Sequence, residues 1–225
     1  MKNQKVVLFD ICGTLFFSNT SFDFLDTVVS AKSYRVFRKF SKTIVARIIN
    51  KLSVILLHKD LIRSIAVLYI KGFTKEELLK LADYFYDDYL SNKKIDSTFD
   101  LIISYLADKN IRVILASATF DFIAETVAKK IGVAEFFGTD LCYNAKSEFS
   151  GSISKDRLGH KHQALVDMGV QPPYFKVITD NVTDMDIINH SETLNLILYP
   201  WTEKKWIKQK SKVLAIIEDE RKYNY

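Results

Sequence analysis

Residues 6–16 constrain the fold of this 225-residue chain more than any other stretch. They begin with a short apolar run that is partly β-branched, which predicts a buried strand. Asp10 follows at the carboxyl end of that strand, where open α/β sheets have their ligand sites, and Gly13 allows a sharp turn beside the carboxylate. On its own the stretch has two interpretations: Asp10 is a nucleophile, or it is the turn residue after an ordinary strand.

Two further apolar runs later in the chain also end in polar residues. Ser117 follows the first of these runs, and Asp180 follows the second, with Asp184 four residues later. Between the two runs, Lys161 opens a helical pattern just after Gly159. The chain order is therefore a strand-end aspartate, a strand-end serine, a lysine and a strand-end pair of aspartates.

This order resembles the haloacid dehalogenase-like (HAD) superfamily of phosphatases and phosphotransferases, whose motifs are Asp-x-Asp-x-Thr, Ser or Thr, Lys, and Asp-x-x-x-Asp. The phosphoserine-phosphatase-like branch is the most similar, because its Ser-Ala-Ser, Gly-Thr-x-Leu and Gly-x-Lys stretches are echoed at residues 117–119, 138–141 and 159–161. The resemblance covers most of the chain outside residues 18–95. It implies an α/β fold, a doubly wound parallel sheet with a small all-helical cap inserted after the first strand.

The resemblance also implies a magnesium site. Asp10 would be both the nucleophile that forms an aspartyl-phosphate and a ligand of Mg²⁺, a hard ion that prefers oxygen donors. Asp180 would be the second carboxylate on the metal, and Asp184 would hold metal-bound water or add a ligand. The backbone carbonyl of Cys12 would complete the protein ligands. Asp184 has an alternative interpretation as an acid stabilised by the dipole at a helix N-terminus.

The remaining matched residues would handle the phosphate. Ser117, Ala118 and Lys161 would bind it, with Lys161 also offsetting the charge of the nucleophile, as cations do in phosphoryl transfer. Thr14 would orient the nucleophile loop through its hydroxyl. Lys155 competes for the lysine role, but Lys161 fits the pattern better because it opens a helix after a glycine.

Cys12 departs from the family pattern. The family's hydrolases have a second aspartate here, which protonates the leaving group and later deprotonates water. A thiol has an unperturbed pKa of about 8.5 and is a poor replacement, and loss of such a group costs on the order of 10²–10⁴ in rate. We therefore expect slow turnover. Alternatives are a catalytically weak phosphate-binding or membrane-surface protein, a dehalogenase, which would not need the metal carboxylates, and a cysteine nucleophile, for which no partner histidine is linked by a motif.

The pattern of elements predicts a core at residues 1–17 and 96–225 and a helical cap at 18–95. Within the cap, Thr74 and Glu77 form a capping box that opens a helix to about residue 90. Beyond it, strands alternate with helices, as in a doubly wound sheet. The predicted helices are 99–109, 121–131, 161–168, 184–190 and 202–218, and the predicted strands are 111–116, 136–141, 176–179 and 193–198.

The net charge of +5 is concentrated in residues 31–63, where nine Lys or Arg side chains accompany a single acid, Asp60. Apolar residues recur through this segment at helical spacing: Val36, Phe37, Phe40, Ile44, Ile48, Leu52 and Ile55. Two interpretations are open. The charges form the solvated face of a cap helix, or the segment contacts anionic lipid headgroups or a polyanionic substrate. Nucleic acid is less favoured, because no binding motif is present.

Composition sets the remaining limits. Hydrophobic residues make up 48% and charged residues 26% of the chain, which indicates a folded protein. No apolar run approaches the ~18 residues of a membrane span, and the N-terminal run is too short for a signal peptide. Two cysteines without metal spacing fit a reducing cytoplasm. We expect a cytoplasmic, Mg²⁺-dependent phosphatase or phosphotransferase that acts on a small or lipid-linked phosphate monoester, with a peripheral position at the membrane as the alternative location.

Overall fold

The computed structural model describes residues 4–57, 59–206 and 213–217. Its centre is a seven-stranded sheet with the strand order β4-β3-β2-β1-β5-β6-β7. The strands are β1 (Lys5–Phe9), β2 (Ile111–Phe120), β3 (Glu135–Tyr143), β4 (Phe149–Lys155), β5 (Tyr174–Thr179), β6 (Ser191–Ile197) and β7 (Val213–Ile217). All neighbours are parallel except β3 and β4, which are antiparallel. This confirms the predicted α/β fold, with an antiparallel strand at one edge.

Helices cover both faces of this sheet. They are α1 (Thr20–Val28), α2 (Lys32–Ser41), α3 (Ile44–Leu57), α4 (Leu61–Val67), α5 (Lys75–Asp88), α6 (Asp96–Ala107), α7 (Asp121–Ile131), α8 (Lys161–Asp167), α9 (Met185–Ile188) and α10 (Glu203–Trp206). Short 3₁₀ turns occur at Leu68–Ile70, Leu90–Lys93 and Val182–Asp184. No helix within the described ranges is long and apolar enough to cross a bilayer.

Strand β1 explains why the sheet has helices on both sides. Val7, Leu8 and Phe9 are completely buried. Because successive side chains of a strand point to opposite faces, Val7 and Phe9 enter one hydrophobic cluster and Leu8 enters another. The cluster around Leu8 is closed by Ala164 and Leu165 of α8 together with residues of α9. The sheet is thus doubly wound, as expected for parallel strands buried on both faces.

The register of β1 places the candidate site. Phe9 pairs with Leu115 of β2 on one side and with Ile178 of β5 on the other. The carboxyl ends of these three strands therefore meet at one edge. Strands β2 to β4 extend the sheet on one side of β1, and strands β5 to β7 extend it on the other. Ligands of open α/β sheets bind at such a switch point.

The segment between β1 and α6 contains helices α1 to α5 and no strand among its described residues. We call residues 18–95 the helical insertion. It packs on the core helix α7 through an aromatic contact, with the ring centroid of Phe24 5.0 Å from that of Phe122. Within the insertion, the ring centroid of Phe24 lies 5.6 Å from that of Phe85 on α5. The capping box is present, with Thr74 Oγ1 accepting from Glu77 N and Glu77 Oε2 accepting from Thr74 N. The boundaries of a cap domain stay a prediction.

One expectation about secondary structure is wrong, and one strand was not predicted. The predicted helix at 202–218 is instead the short helix α10 and, further on, strand β7, while residues 207–212 and 218 lie outside the described residues. The periodicity of a short apolar run is compatible with both a helix and a strand. Residues 213–217 form a strand because they pair with β6. Strand β4 was not predicted, because its serine-rich sequence contains only two large apolar residues, Phe149 and Ile153, and depends on β3 for its hydrogen bonds.

Candidate active site

A buried lysine joins two carboxylates at the switch point. Asp10 follows β1 and is held by its backbone N–H, which donates to the carbonyl of Ile178 at 3.0 Å. Lys161, at the start of α8, donates from Nζ to Asp10 Oδ1 at 2.9 Å and to Asp184 Oδ2 at 2.7 Å. Thr179 donates to the same Asp184 oxygen at 2.6 Å. Lys161 is 1% exposed, and a lysine is so deeply buried only where its charge is paired.

The electrostatics of the site show an excess of negative charge. Burial alone would lower the pKa of Lys161, but the charges of Asp10 and Asp184 outweigh it and hold that pKa above its usual value. Burial raises the pKa of Asp184 to about 6, despite the nearby ammonium. Burial and repulsion from the other two carboxylates raise the pKa of Asp180 well above its usual value. Three carboxylates thus share one ammonium in the described part of the site.

The loop after β1 packs tightly against Asp180. Gly13 has a φ of +67°, and a side chain at this position would overlap the Asp180 carboxylate, so glycine is required by both conformation and space. The hydroxyl of Thr14 accepts from the Asp180 N–H at 3.0 Å and donates to Asp180 Oδ1 at 3.4 Å. Thr98 fixes the loop from α6 by donating to the Thr14 carbonyl at 2.8 Å. The loop and Asp180 therefore form one rigid unit.

Ser117 and Ala118 lie towards the end of β2 and line the same cleft. Ser117 is 1% exposed, and its Oγ accepts from Thr119 N at 3.3 Å. The carbonyl of Ala118 accepts from Thr139 Oγ1 at 3.0 Å and also from the guanidinium of Arg63. The structure therefore brings the predicted phosphate-binding residues to the same edge as Asp10. Lys155 lies in β4 and is exposed, with its Nζ 4.0 Å from Asp167 Oδ2.

Cys12 stands at the position where the resemblance leads us to expect a second aspartate. Its Sγ lies 2.7 Å from Thr20 Oγ1, and the Thr20 hydroxyl donates onward to Thr119 Oγ1 at 2.8 Å. Because the Thr20 proton is used in that second bond, the thiol is the donor in the first. Desolvation and the charge of Asp10 raise the pKa of Cys12 to about 11. A thiol that is protonated at neutral pH is a poor nucleophile, which disfavours the cysteine-nucleophile alternative.

These residues line a cleft of about 650 Å³ between the sheet edge and the helical insertion. Arg63 of α4 reaches into it, a position that was not predicted from the sequence. Its guanidinium pairs with Asp156 at 2.7 Å, and the side chain is buried. The expectation of a solvated basic segment is therefore wrong for Arg63. Helical spacing could have indicated that Arg63 is buried, because it shares a helix face with the buried residues Ala66 and Val67.

Aromatic residues after β6 support the loops from behind and were also missed. Tyr199 donates from its hydroxyl to the Gly13 carbonyl at 2.6 Å. Trp206 donates from Nε1 to the Asp180 carbonyl at 3.2 Å. Trp201 lines the cleft and stacks on Tyr199 with ring centroids 4.9 Å apart. Their contribution depends on tertiary contacts with residues far away in sequence.

Sequence comparison identifies the class of this protein. The model of the family described as haloacid dehalogenase-like hydrolase matches residues 7–188, from β1 through α9. The match covers most of the chain and includes Asp10, Cys12, Thr14, Ser117, Ala118, Lys161, Asp180 and Asp184. The chain therefore belongs to the haloacid dehalogenase-like hydrolases. No curated protein matches its sequence.

Solved structures share the fold at low sequence identity. A protein with unknown function from Bordetella pertussis Tohama I has a TM-score of 0.71 at 17% identity, over 94% of this chain and 98% of that one. A phospho-aspartyl intermediate analogue of phosphoserine phosphatase has a TM-score of 0.59 at 15% identity, over 96% and 94% of the two chains. A cytosolic 5'-nucleotidase IIIB bound to cytidine has a TM-score of 0.61 at 11% identity, over 96% and 80%.

Proposed function

We propose that this protein is a Mg²⁺-dependent phosphatase or phosphotransferase that acts on a small or lipid-linked phosphate monoester through an aspartyl-phosphate on Asp10. One observation carries the proposal: the buried ammonium of Lys161 contacts both Asp10 and Asp184 at the open end of the sheet. A cation so placed can balance a phosphate that lies against Asp10. The structural similarity to a phospho-aspartyl form of phosphoserine phosphatase supports the same chemistry.

In the proposed reaction, a carboxylate oxygen of Asp10 attacks phosphorus and the bond from phosphorus to the ester oxygen breaks. The leaving oxygen takes up a proton from solvent water. A water molecule, or an acceptor hydroxyl, then attacks the phosphorus, gives up its proton to solvent and releases Asp10 as a carboxylate. Ser117 donates a hydrogen bond to a phosphoryl oxygen, and Lys161 offsets the charge that collects around Asp10. Thr14 holds the loop in place through its bonds to Asp180.

The residues present suit a magnesium ion. Three carboxylates facing one ammonium leave a surplus of negative charge, and Asp184 Oδ1 is buried with no hydrogen-bond partner among the described residues. No three His, Cys, Asp or Glu side chains in residues 4–57 and 59–206 form a metal site by themselves. Mg²⁺ commonly binds through one or two carboxylates and keeps its waters. Asp10, Asp180 and the Cys12 carbonyl would hold it, Asp184 would act through water, and the ion would supply positive charge at the phosphate.

Removal of Asp180 should weaken magnesium binding more than removal of Asp184. Asp180→Ala deletes a direct ligand and should lower Mg²⁺ affinity more than about 100-fold, whereas Asp184→Ala removes an outer contact and should cost about 10-fold. Isothermal titration calorimetry of both variants and the parent measures the difference. An unchanged Mg²⁺ affinity in both variants would contradict the proposed metal site.

Cys12 makes slow turnover the expected behaviour. With a pKa of about 11 and its proton directed to Thr20, the thiol is badly suited to protonate a leaving oxygen at neutral pH. This observation also favours a second candidate function, a phosphate-binding protein that retains the site but hydrolyses little. Turnover on a panel of phosphate esters, with and without Mg²⁺, separates the two. Mg²⁺-dependent release of phosphate from any member supports the enzyme, and tight binding without release supports the second candidate.

A carboxylate at position 12 should accelerate hydrolysis. In Cys12→Asp the new carboxyl lies near Asp10 and the Thr20 hydroxyl, where it can serve as the missing general acid and base. We expect a gain in kcat of about tenfold or more. Cys12→Ser is the matched control, because it changes the thiol to a hydroxyl of similar size without adding a carboxylate, and it should show no such gain. Equal rates for both variants would mean that another step limits turnover.

A further inference from the structure

Helix α3 presents its apolar residues to solvent and its small or polar residues to the protein. The side chains turned towards the neighbouring helices include Ala46 and Ser53, both buried, and Asn50, whose Oδ1 accepts from the N–H of Ile62 at 3.0 Å. The opposite side carries the apolar residues. Their exposed fractions are Ile44 75%, Val45 60%, Ile48 55%, Ile49 48%, Leu52 52%, Ile55 59% and Leu56 73%. This polarity is the reverse of that of an ordinary surface helix.

The adjoining helices extend the apolar surface. Val36 and Phe40 of α2 are 69% and 52% exposed, and Ile65 of α4 is 43% exposed. We call the exposed apolar side chains of α2, α3 and α4 the apolar face. Scattered apolar side chains are normal on protein surfaces, but a large contiguous group indicates a binding surface. Helix α3 packs chiefly against α2 and α4, so nothing in the described structure covers its outer side.

Basic residues accompany the apolar face. Arg47 and Lys51 lie on α3 beside it, one turn apart, and Lys39 lies on α2 next to Phe40. The acid of this segment, Asp60, is engaged as the N-cap of α4, where its Oδ1 accepts from the N–H of Arg63 at 2.9 Å. The surface therefore combines exposed apolar groups with uncompensated positive charge.

We propose that the apolar face docks the protein on the surface of an anionic lipid bilayer. Helix α3 would lie in the plane of the interface, with its apolar side chains among the lipids and its basic side chains at the headgroups. The basic charge argues against a second copy of this chain as the occupant. A twofold contact through this face would bring like charges together, which is unfavourable.

The position of the apolar face relative to the cleft connects membrane docking with the candidate active site. Lys42 is the C-cap of α2 and lies two residues before α3 begins, and it lines the cleft together with Arg38. A bilayer against α3 would therefore bring the cleft close to phosphate groups in the headgroup layer. We assign a lipid-borne phosphate monoester as the substrate class. That assignment rests on the proposed phosphatase function, whereas the docking itself does not.

Vesicle cosedimentation tests the docking without relying on activity. The parent protein should sediment with vesicles of equal parts phosphatidylcholine and phosphatidylglycerol, and much less with phosphatidylcholine alone. An apolar-face variant replaces exposed residues only, with Ile44→Ser, Ile48→Ser, Leu52→Ser and Ile55→Ser, and should lose binding. Serine and isoleucine have similar helix propensities, and that of leucine is only slightly more favourable, so α3 should persist. A charge variant with Lys39→Glu, Arg47→Glu and Lys51→Glu should bind at least about 100-fold more weakly.

A matched control carries the same kinds of change on another surface. Ile103→Ser, Leu106→Ser and Lys109→Glu alter exposed residues at α6 and just beyond it, and should leave binding unchanged. Circular dichroism of each variant checks that the fold is intact. No vesicle binding by the parent, equal binding to both vesicle types, or unchanged binding by the apolar-face variant would overturn the proposal. The parent could instead form a dimer and bind no vesicles, with the apolar-face variant being monomeric. That result would assign the apolar face to a contact with a second copy of this chain.

Activity then tests the substrate class separately. With p-nitrophenyl phosphate in solution, the apolar-face variant should match the parent, because none of the changed residues lines the cleft. With phosphatidic acid in vesicles, the same variant should release phosphate at least about 10-fold more slowly. Equal rates on vesicles would reject the lipid-borne substrate while leaving the vesicle-binding result intact. No activity of the parent on either substrate would reject the phosphatase and leave the docking standing.

Discussion

Replacement of Asp10 by asparagine is expected to abolish phosphate-ester hydrolysis, with a fall in kcat of about 10⁴-fold or more. The amide has nearly the same shape as the carboxylate but lacks the charge and the nucleophilic oxygen. Lys161 would keep Asp184 as a partner, so the fold should persist. Initial rates with p-nitrophenyl phosphate and Mg²⁺ measure the loss. Thermal unfolding of the same sample at the parent's temperature shows that the loss of activity is catalytic and does not come from unfolding.

Trapping provides a second measurement of the same residue. Beryllium fluoride forms a phosphoryl-like adduct on an attacking carboxylate, so the parent should bind it in the presence of Mg²⁺ and Asp10→Asn should not. Asp96→Asn is the matched control, because Asp96 is an exposed acid in the first turn of α6, away from the cleft. That variant should retain both activity and trapping. An Asp10→Asn protein that turns over at the parent's rate would show that Asp10 is not the nucleophile.

Replacement of Lys161 by methionine is expected to damage both stability and activity. It removes the ammonium from between Asp10 and Asp184 and leaves two buried carboxylates without compensation, which costs about 3–5 kcal/mol of unfolding free energy. Loss of a positive charge at the phosphate should lower kcat by about 10²–10³-fold. Urea unfolding and initial rates measure the two effects. Lys155→Met, which changes the exposed competing lysine, should alter neither.

The pH dependence of this variant distinguishes a charge effect from lost packing. The pKa of Asp184 is already raised in the folded parent, and without the ammonium it should rise further. The folded variant then binds a proton that the unfolded chain does not, so its stability rises as the pH falls. The deficit relative to the parent should be smaller near pH 5 than near pH 8. A deficit independent of pH would indicate that Lys161 contributes through packing alone.

Much of the candidate site was predictable because parallel strands place their carboxyl ends together. Asp10 and Asp180 directly follow β1 and β5, and Ser117 lies near the end of β2. Each was recognisable as a polar residue after an apolar run. Lys161 was recognisable from its motif and its position at a helix start. The structure brings all four to one cleft. Their roles remain predictions until the variants are measured, whereas membership of the haloacid dehalogenase-like hydrolases rests on the match over residues 7–188.

Other features depended on partners far away in the chain. Arg63 is part of a strongly basic segment, and its burial against Asp156 and the Ala118 carbonyl follows only from how α4 packs. The run from Val213 to Ile217 is compatible with a helix or a strand, and pairing with β6 made it a strand. Tyr199 contributes by a hydrogen bond to Gly13, 186 residues earlier.

The apolar segment at residues 36–55 shows most clearly where sequence and tertiary structure divide. Its helical spacing determined that these residues form helices, because that periodicity depends only on local geometry. Which side of α3 meets the protein was decided by packing against α2 and α4, which accommodate Ala46, Asn50 and Ser53 and leave the larger apolar side chains outside. Periodicity identifies an apolar side of a helix but not what it faces, since burial is a property of the whole assembly of elements.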